Sequence, residues 1–100
     1  MTILEETGGA RVGLKNASWP FARLTVSRKE LRLNVQLIGR YSFRPQDIVE
    51  LEVITKFPII GKGIRIHHTI EDYPQKIIFW TLHDPEAIME RILRTGFIKQ

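Results

Sequence analysis

One hundred residues make a single domain, large enough to bury one real core without a disulfide or metal staple. The absence of cysteine removes disulfides, thiolate nucleophiles, thiolate zinc sites and iron–sulfur clusters, and it fits a reducing, cytoplasmic setting. Fifteen Lys and Arg against eleven Asp and Glu leave a net charge of +4, but the basic residues are spread singly, the pattern of a solvated surface rather than of a nucleic-acid footprint.

Met1 to Gly9 shows no period and carries two glutamates where a secretion signal would carry positive charge, so it reads as a flexible lead-in to a domain spanning residues 10–100. Val12 and Leu14 alternate with Arg11 and Lys15 as a first strand, which Asn16-Ala17-Ser18-Trp19-Pro20 breaks as a turn. From Ala22 the alternation is strict, with Ala22, Leu24 and Val26 on one side and Arg23, Thr25 and Ser27 on the other. Ser27 to Glu30 turns the chain into a third strand carrying Leu31, Leu33, Val35 and Leu37. Tyr41 and Phe43 mark a short fourth strand after Gly39, and Pro45-Gln46-Asp47 forces a corner. Ile48 to Phe57 is a fifth strand with Leu51 and Val53 opposite Glu50 and Glu52, and the pattern blurs at Ile54 as a bulge would make it.

The connection Phe57-Pro58-Ile59-Ile60-Gly61 is apolar where turns are normally polar. Strand six holds Ile64, Ile66 and His68, with His68 facing inward, and strand seven runs from Lys76 to Leu82. Strand seven is apolar on both faces, Ile77 and Phe79 on one and Ile78, Trp80 and Leu82 on the other. The last element is a helix written at both ends. Asp84 is its N-cap, Pro85 sits at N1, Glu86 meets the positive end of the dipole, and Gly96 is the left-handed residue that ends it. Phe97 is placed to fold back on Ile92, and Ile88, Met89, Ile92 and Leu93 form one apolar stripe. Seven short strands and one capped helix predict a mainly β (α+β) domain, an antiparallel open barrel or sandwich capped by a C-terminal helix.

Element order, the hairpin from Trp19-Pro20 through Leu37, the "IRIHHTIEDYPQKIIFWT" hairpin and the closing "DPEAIMERILRTGF" helix resemble the pleckstrin-homology-like superfold, particularly its small bacterial PH-like and GRAM-like domains. The resemblance covers residues 10–97. It implies a non-enzymatic module for lipid, peptide or self-association surfaces. Lipid-binding relatives place a lysine on the first strand and a basic-x-Arg pair on the second. Lys15 and Arg23 match these, whereas Phe21 stands at the other basic position and the terminal helix lacks tryptophan. Both departures point to the bacterial branch rather than to inositol-phosphate binding.

No residue set for catalysis emerges: His67 and His68 are adjacent on a strand and point apart, no serine sits in a nucleophile elbow, and Gly61-Lys62-Gly63 lacks a following helix. The chain is therefore read as a non-enzyme without cofactor, metal or small-molecule substrate. The leading expectation is a binding or self-assembly module, a homo-oligomer through strand seven, with Ile77, Phe79 and Trp80 as candidate interface residues. The alternative is peripheral binding to anionic membrane lipid, with Lys15, Arg23, Lys56, Phe57, Ile59, Ile60 and Lys62 facing it and the apolar loop inserting shallowly. Nucleic-acid binding, with Arg23, Thr25, Arg32 and Asn34 sharing the polar face of the hairpin of strands two and three and Tyr41 or Trp19 stacking, lacks any recognition motif and ranks last.

Overall fold

The computed structural model describes residues 2–57 and 61–98. The chain runs β1 (Leu4–Val12), β2 (Lys15–Val26), β3 (Leu31–Val35), β4 (Gly39–Phe43), a 3-10 turn (Pro45–Asp47), β5 (Ile48–Phe57), β6 (Gly61–His68), β7 (Ile77–Thr81) and α1 (Pro85–Arg94). All strands pair antiparallel in one sheet of order β4-β3-β2-β1-β7-β6-β5. β1 is its hinge, bonded to β2 on one side and to β7 on the other. The expected mainly β class, seven strands and terminal helix are all present.

Alternation decides which side each strand buries. Ala22, Leu24 and Val26 of β2 and Leu31, Leu33 and Val35 of β3 are buried, while Arg23 and Arg32 between them face outward. Leu33 from one half of the sheet and Ile66 and Phe79 from the other belong to one apolar cluster with Ile88, Ile92 and Phe97. One flat sheet could not bring its two halves into a single cluster, so the sheet curls around the core and α1 closes it.

The helix ends are built much as the sequence implies. The Asp84 carboxylate accepts from the Glu86 N–H at 3.0 Å, and Gly96 adopts φ +80° while its N–H donates to the Leu93 carbonyl at 3.2 Å. The Phe97 N–H, however, donates to the Thr95 hydroxyl at 3.1 Å, and that hydroxyl in turn donates to the Ile92 carbonyl at 2.6 Å. The buried threonine thus relays a bond that a glycine-terminated helix usually makes directly. Helix α1 is also tied to the sheet by charge. Glu6 on β1 is buried and accepts from Arg91 Nη1 at 2.7 Å, with His83 Nδ1 3.2 Å from its other oxygen.

Three segment assignments need correction. Most of the lead-in Met1 to Gly9 belongs to β1, with Leu4 and Glu6 buried. The Gly8-Gly9 pair is not loop punctuation. A Cβ on Gly8 would lie 2.1 Å from the Trp80 carbonyl oxygen and one on Gly9 2.6 Å from that of Ala17, so both glycines allow close backbone passage at a β1–β2 bulge. Asn16 to Pro20 is likewise strand rather than turn. The reversal comes earlier, at Gly13 with φ +61°, and the Trp19–Pro20 peptide is cis. Lastly, Leu37 does not continue β3. The strand ends at Val35, and Leu37 occupies the β3–β4 turn. The bulge expected near Ile54 is present as a register shift between Ile54 and Phe57.

Candidate functional site

The antiparallel meander places the β1–β2 and β3–β4 turns at one end of the sheet, away from the β2–β3 turn at Ser27 to Glu30. Leucine occupies the exposed position in both. Leu14 is 95% exposed, and Leu37 is fully exposed with a backbone φ of +64°. A left-handed backbone normally selects glycine or asparagine, since a Cβ there costs roughly 1–2 kcal/mol. Leu37 therefore holds an unfavourable backbone while gaining no burial. Trp19 and Phe21, also exposed, lie along β2 between the two turns, and the Gln36 N–H donates to the Phe21 carbonyl at 2.9 Å.

Beside Leu37 opens a groove of about 610 Å³ whose lining includes Phe21, Arg23, Asn34, Leu37 and Arg40. The register puts Arg23 opposite Asn34 and Asn34 opposite Arg40, one row on the outward face of three adjacent strands. At about 4.8 Å between strands, the two arginine stems rise roughly 10 Å apart with the amide between them. Among the described residues, neither arginine has a carboxylate within ion-pair distance, and Asn34 Oδ1 is buried without a donor. Two uncompensated guanidinium groups form a field for a negatively charged surface or group. The only carboxylates of the neighbouring β6–β7 turn, Glu71 and Asp72, are exposed.

The other candidate residues disperse. Lys15 is exposed at the β1–β2 turn opposite Val12, five positions along β1 from the Thr7 that pairs with Arg23, so the two belong to one end but not to one pocket. Lys62 pairs with Thr81 toward the opposite end of β7. Residues 58–60, and with them Ile59 and Ile60, lie outside the described residues, as do the side chains of Lys56 and Phe57.

Strand seven resolves against the expected interface. Ile77 and Phe79 are 0% exposed in the core, so neither is available to a partner. On the outward face Ile78 is only 7% exposed, flanked across the strands by Arg11 and Arg65, whose aliphatic stems suit such cover. Trp80 stands between Gly9 and Gly63, and a Cβ on Gly63 would come within 3.0 Å of its ring, so the indole lies over that glycine and is half-buried. The chain thus covers most of Ile78 and part of Trp80, while Leu82, just past the end of β7, stays 69% exposed.

The histidines separate too. His68 faces inward as expected: the Ile70 N–H donates to its Nδ1 at 3.0 Å, which leaves the proton on Nε2 to donate to the Pro74 carbonyl at 2.8 Å. Both ring nitrogens are satisfied in the neutral form, beside the rings of Phe43 and Tyr73. His67 Nε2 lies 2.7 Å from Glu52 on the outer face. Among the described residues no three metal-binding side chains converge. Tyr41, one proposed stacking residue, is engaged edge-on with Tyr73 at 5.1 Å. At the corner between β4 and β5, the Arg44 guanidinium and then its backbone N–H hold the Asp47 carboxyl below its usual range.

Lys15, Arg23 and Asn34 were legible in the sequence, whereas Leu14, Leu37 and Arg40 were not. Leu14 and Leu37 each fit a strand alternation by one further step, which hid them. Comparison with known protein families, with curated proteins and with solved structures gives no match. Among the described residues, no helix is long and apolar enough to cross a membrane.

Proposed function

We propose that this chain is a non-catalytic binding module of the PH-like fold that docks on anionic membrane surfaces through its β1–β2 and β3–β4 turns. The fold assignment is supported by the meander of four strands, the return of β7 to the other side of β1, and the closing C-terminal helix. The observation that carries the functional reading is Leu37, an apolar side chain held fully in solvent by a left-handed backbone, next to two arginines without a counter-charge among the described residues. Burying one leucine gains roughly 1.5–3 kcal/mol and each basic residue near an anionic surface adds about 1 kcal/mol. Leu14 and Leu37 with Arg23, Arg40 and Lys15 are thus sufficient for reversible association, though not for permanent anchoring.

Co-sedimentation with phosphatidylglycerol/phosphatidylcholine vesicles at low salt tests the reading. The protein should pellet with these vesicles and not with phosphatidylcholine alone, and Leu14→Asp/Leu37→Asp should stay in the supernatant while remaining folded. A wild type that ignores anionic vesicles rules the proposal out.

A further inference from the structure

The two edges of the sheet are unequal. β4 is five residues long and is followed at once by the Pro45 corner, both devices that blunt an edge. β5 is ten residues long and, among the described residues, pairs only with β6; register shifts between Ile48 and Glu50 and between Ile54 and Phe57 bend it, but its other side still presents unpaired main-chain groups. Alongside it runs a groove of about 510 Å³ between β5 and the end of α1, lined by Ile48, Val49, Leu51 and Ile98 with Arg28 and Glu50. Val49 is exposed, and the Arg28 stem lies over Gly96, where a Cβ would meet its Cγ at 3.7 Å. Among the described residues neither Arg28 nor Glu50 forms an ion pair, although both line this one groove.

We propose that this edge pairs with the same edge of a second copy of the chain, β5 against β5, to form a two-fold dimer with a continuous sheet. A two-fold interface must be complementary to itself, so a patch that holds one unpaired cation and one unpaired carboxylate is suited to it: each Arg28 meets the partner's Glu50, twice per dimer. Antiparallel pairing about a two-fold axis also satisfies both exposed edges at once and covers both copies of Val49. This assignment does not rest on the lipid reading, since the groove lies beside the C-terminal end of α1 and not at the β1–β2 and β3–β4 turns. It moves self-association from strand seven, where Ile77 and Phe79 lie in the core and Ile78 is covered, to the strand edge left open.

Sedimentation velocity across micromolar to millimolar concentrations tests it, with circular dichroism confirming that each variant is folded. The wild type should dimerise. Glu50→Arg and Arg28→Glu, each placing like charges in contact twice, should weaken dimerisation by about tenfold or more. The combined Glu50→Arg/Arg28→Glu variant exchanges the charges and should recover it. A wild type that remains monomeric throughout overturns the proposal, and so does a dimer that both single reversals leave unchanged.

Discussion

Replacing Leu37 by asparagine should make the protein more stable and bind membranes less well, a pair of effects that a merely structural leucine would not produce. Leu37 has φ +64° and is fully exposed, so its removal loses no core contact. Asparagine tolerates the left-handed region better than a branched apolar residue, and recovering part of a cost of roughly 1–2 kcal/mol should raise stability by about 0.5–1 kcal/mol. For a domain of this size that corresponds to an increase in Tm of about 2–8 °C. Loss of a leucine that enters the bilayer removes roughly 1.5–3 kcal/mol of partitioning energy, which is about a tenfold to hundredfold drop in vesicle affinity. Thermal denaturation and vesicle titration on the same preparations read both quantities. A lower Tm in the variant would mean that Leu37 packs against something, and an unchanged vesicle affinity would mean that it does not enter the membrane; either result refutes the reasoning.

Ile92 is 0% exposed at the centre of the helix stripe, so Ile92→Ala should cost about 2–5 kcal/mol by urea denaturation, whereas Glu90→Ala, losing only an exposed i,i+4 pair with Arg94, should cost about 0.3–0.5 kcal/mol. Glu6→Gln removes the charge that ties α1 to β1; the cost should be about 1–2 kcal/mol, below that of a fully buried pair because the Arg91 side chain is half-exposed, and hydrogen exchange should accelerate first in α1. Asp47 has its folded pKa lowered by the Arg44 side chain and backbone, so its contribution to stability is complete above the ordinary carboxylate range and disappears as pH falls through the folded value. Asp47→Asn should therefore flatten the acid limb of a Tm-versus-pH profile and leave its alkaline limb unaltered.

The sequence was most legible where a local rule and the tertiary structure agree. Asp84, Pro85 and Gly96 bound the helix because capping is local chemistry, and Ala22 to Val35 showed its inward face because one side of that hairpin is solvated. It was least legible where a residue serves a neighbour distant in the chain. Gly8 and Gly9 look like punctuation until Trp80 and Ala17 are seen crossing them, and Glu6 looks like a solvated charge until Arg91, 85 positions away, is seen to meet it. Strand seven is apolar on both faces because Ile78 and Trp80 are covered by residues of β1 and β6, which periodicity alone cannot distinguish from a surface awaiting a partner. Part of the candidate site was hidden for another reason. Arg23 and Asn34 share a legible polar hairpin face, but Arg40 comes from a further strand, and only the register adds it to their row.

The claim that the end carrying Leu14 and Leu37 faces the membrane is tested most directly by the chain's own fluorescence. There are two tryptophans, and Trp80→Phe leaves Trp19, exposed on β2 between the two turns, as the sole reporter. Titrating this variant with phosphatidylglycerol vesicles that contain brominated acyl chains should shift the Trp19 emission to the blue and quench it, with both effects weakened by added salt. Association with the vesicles without quenching or shift of Trp19 would show that another face meets the lipid and would contradict the account.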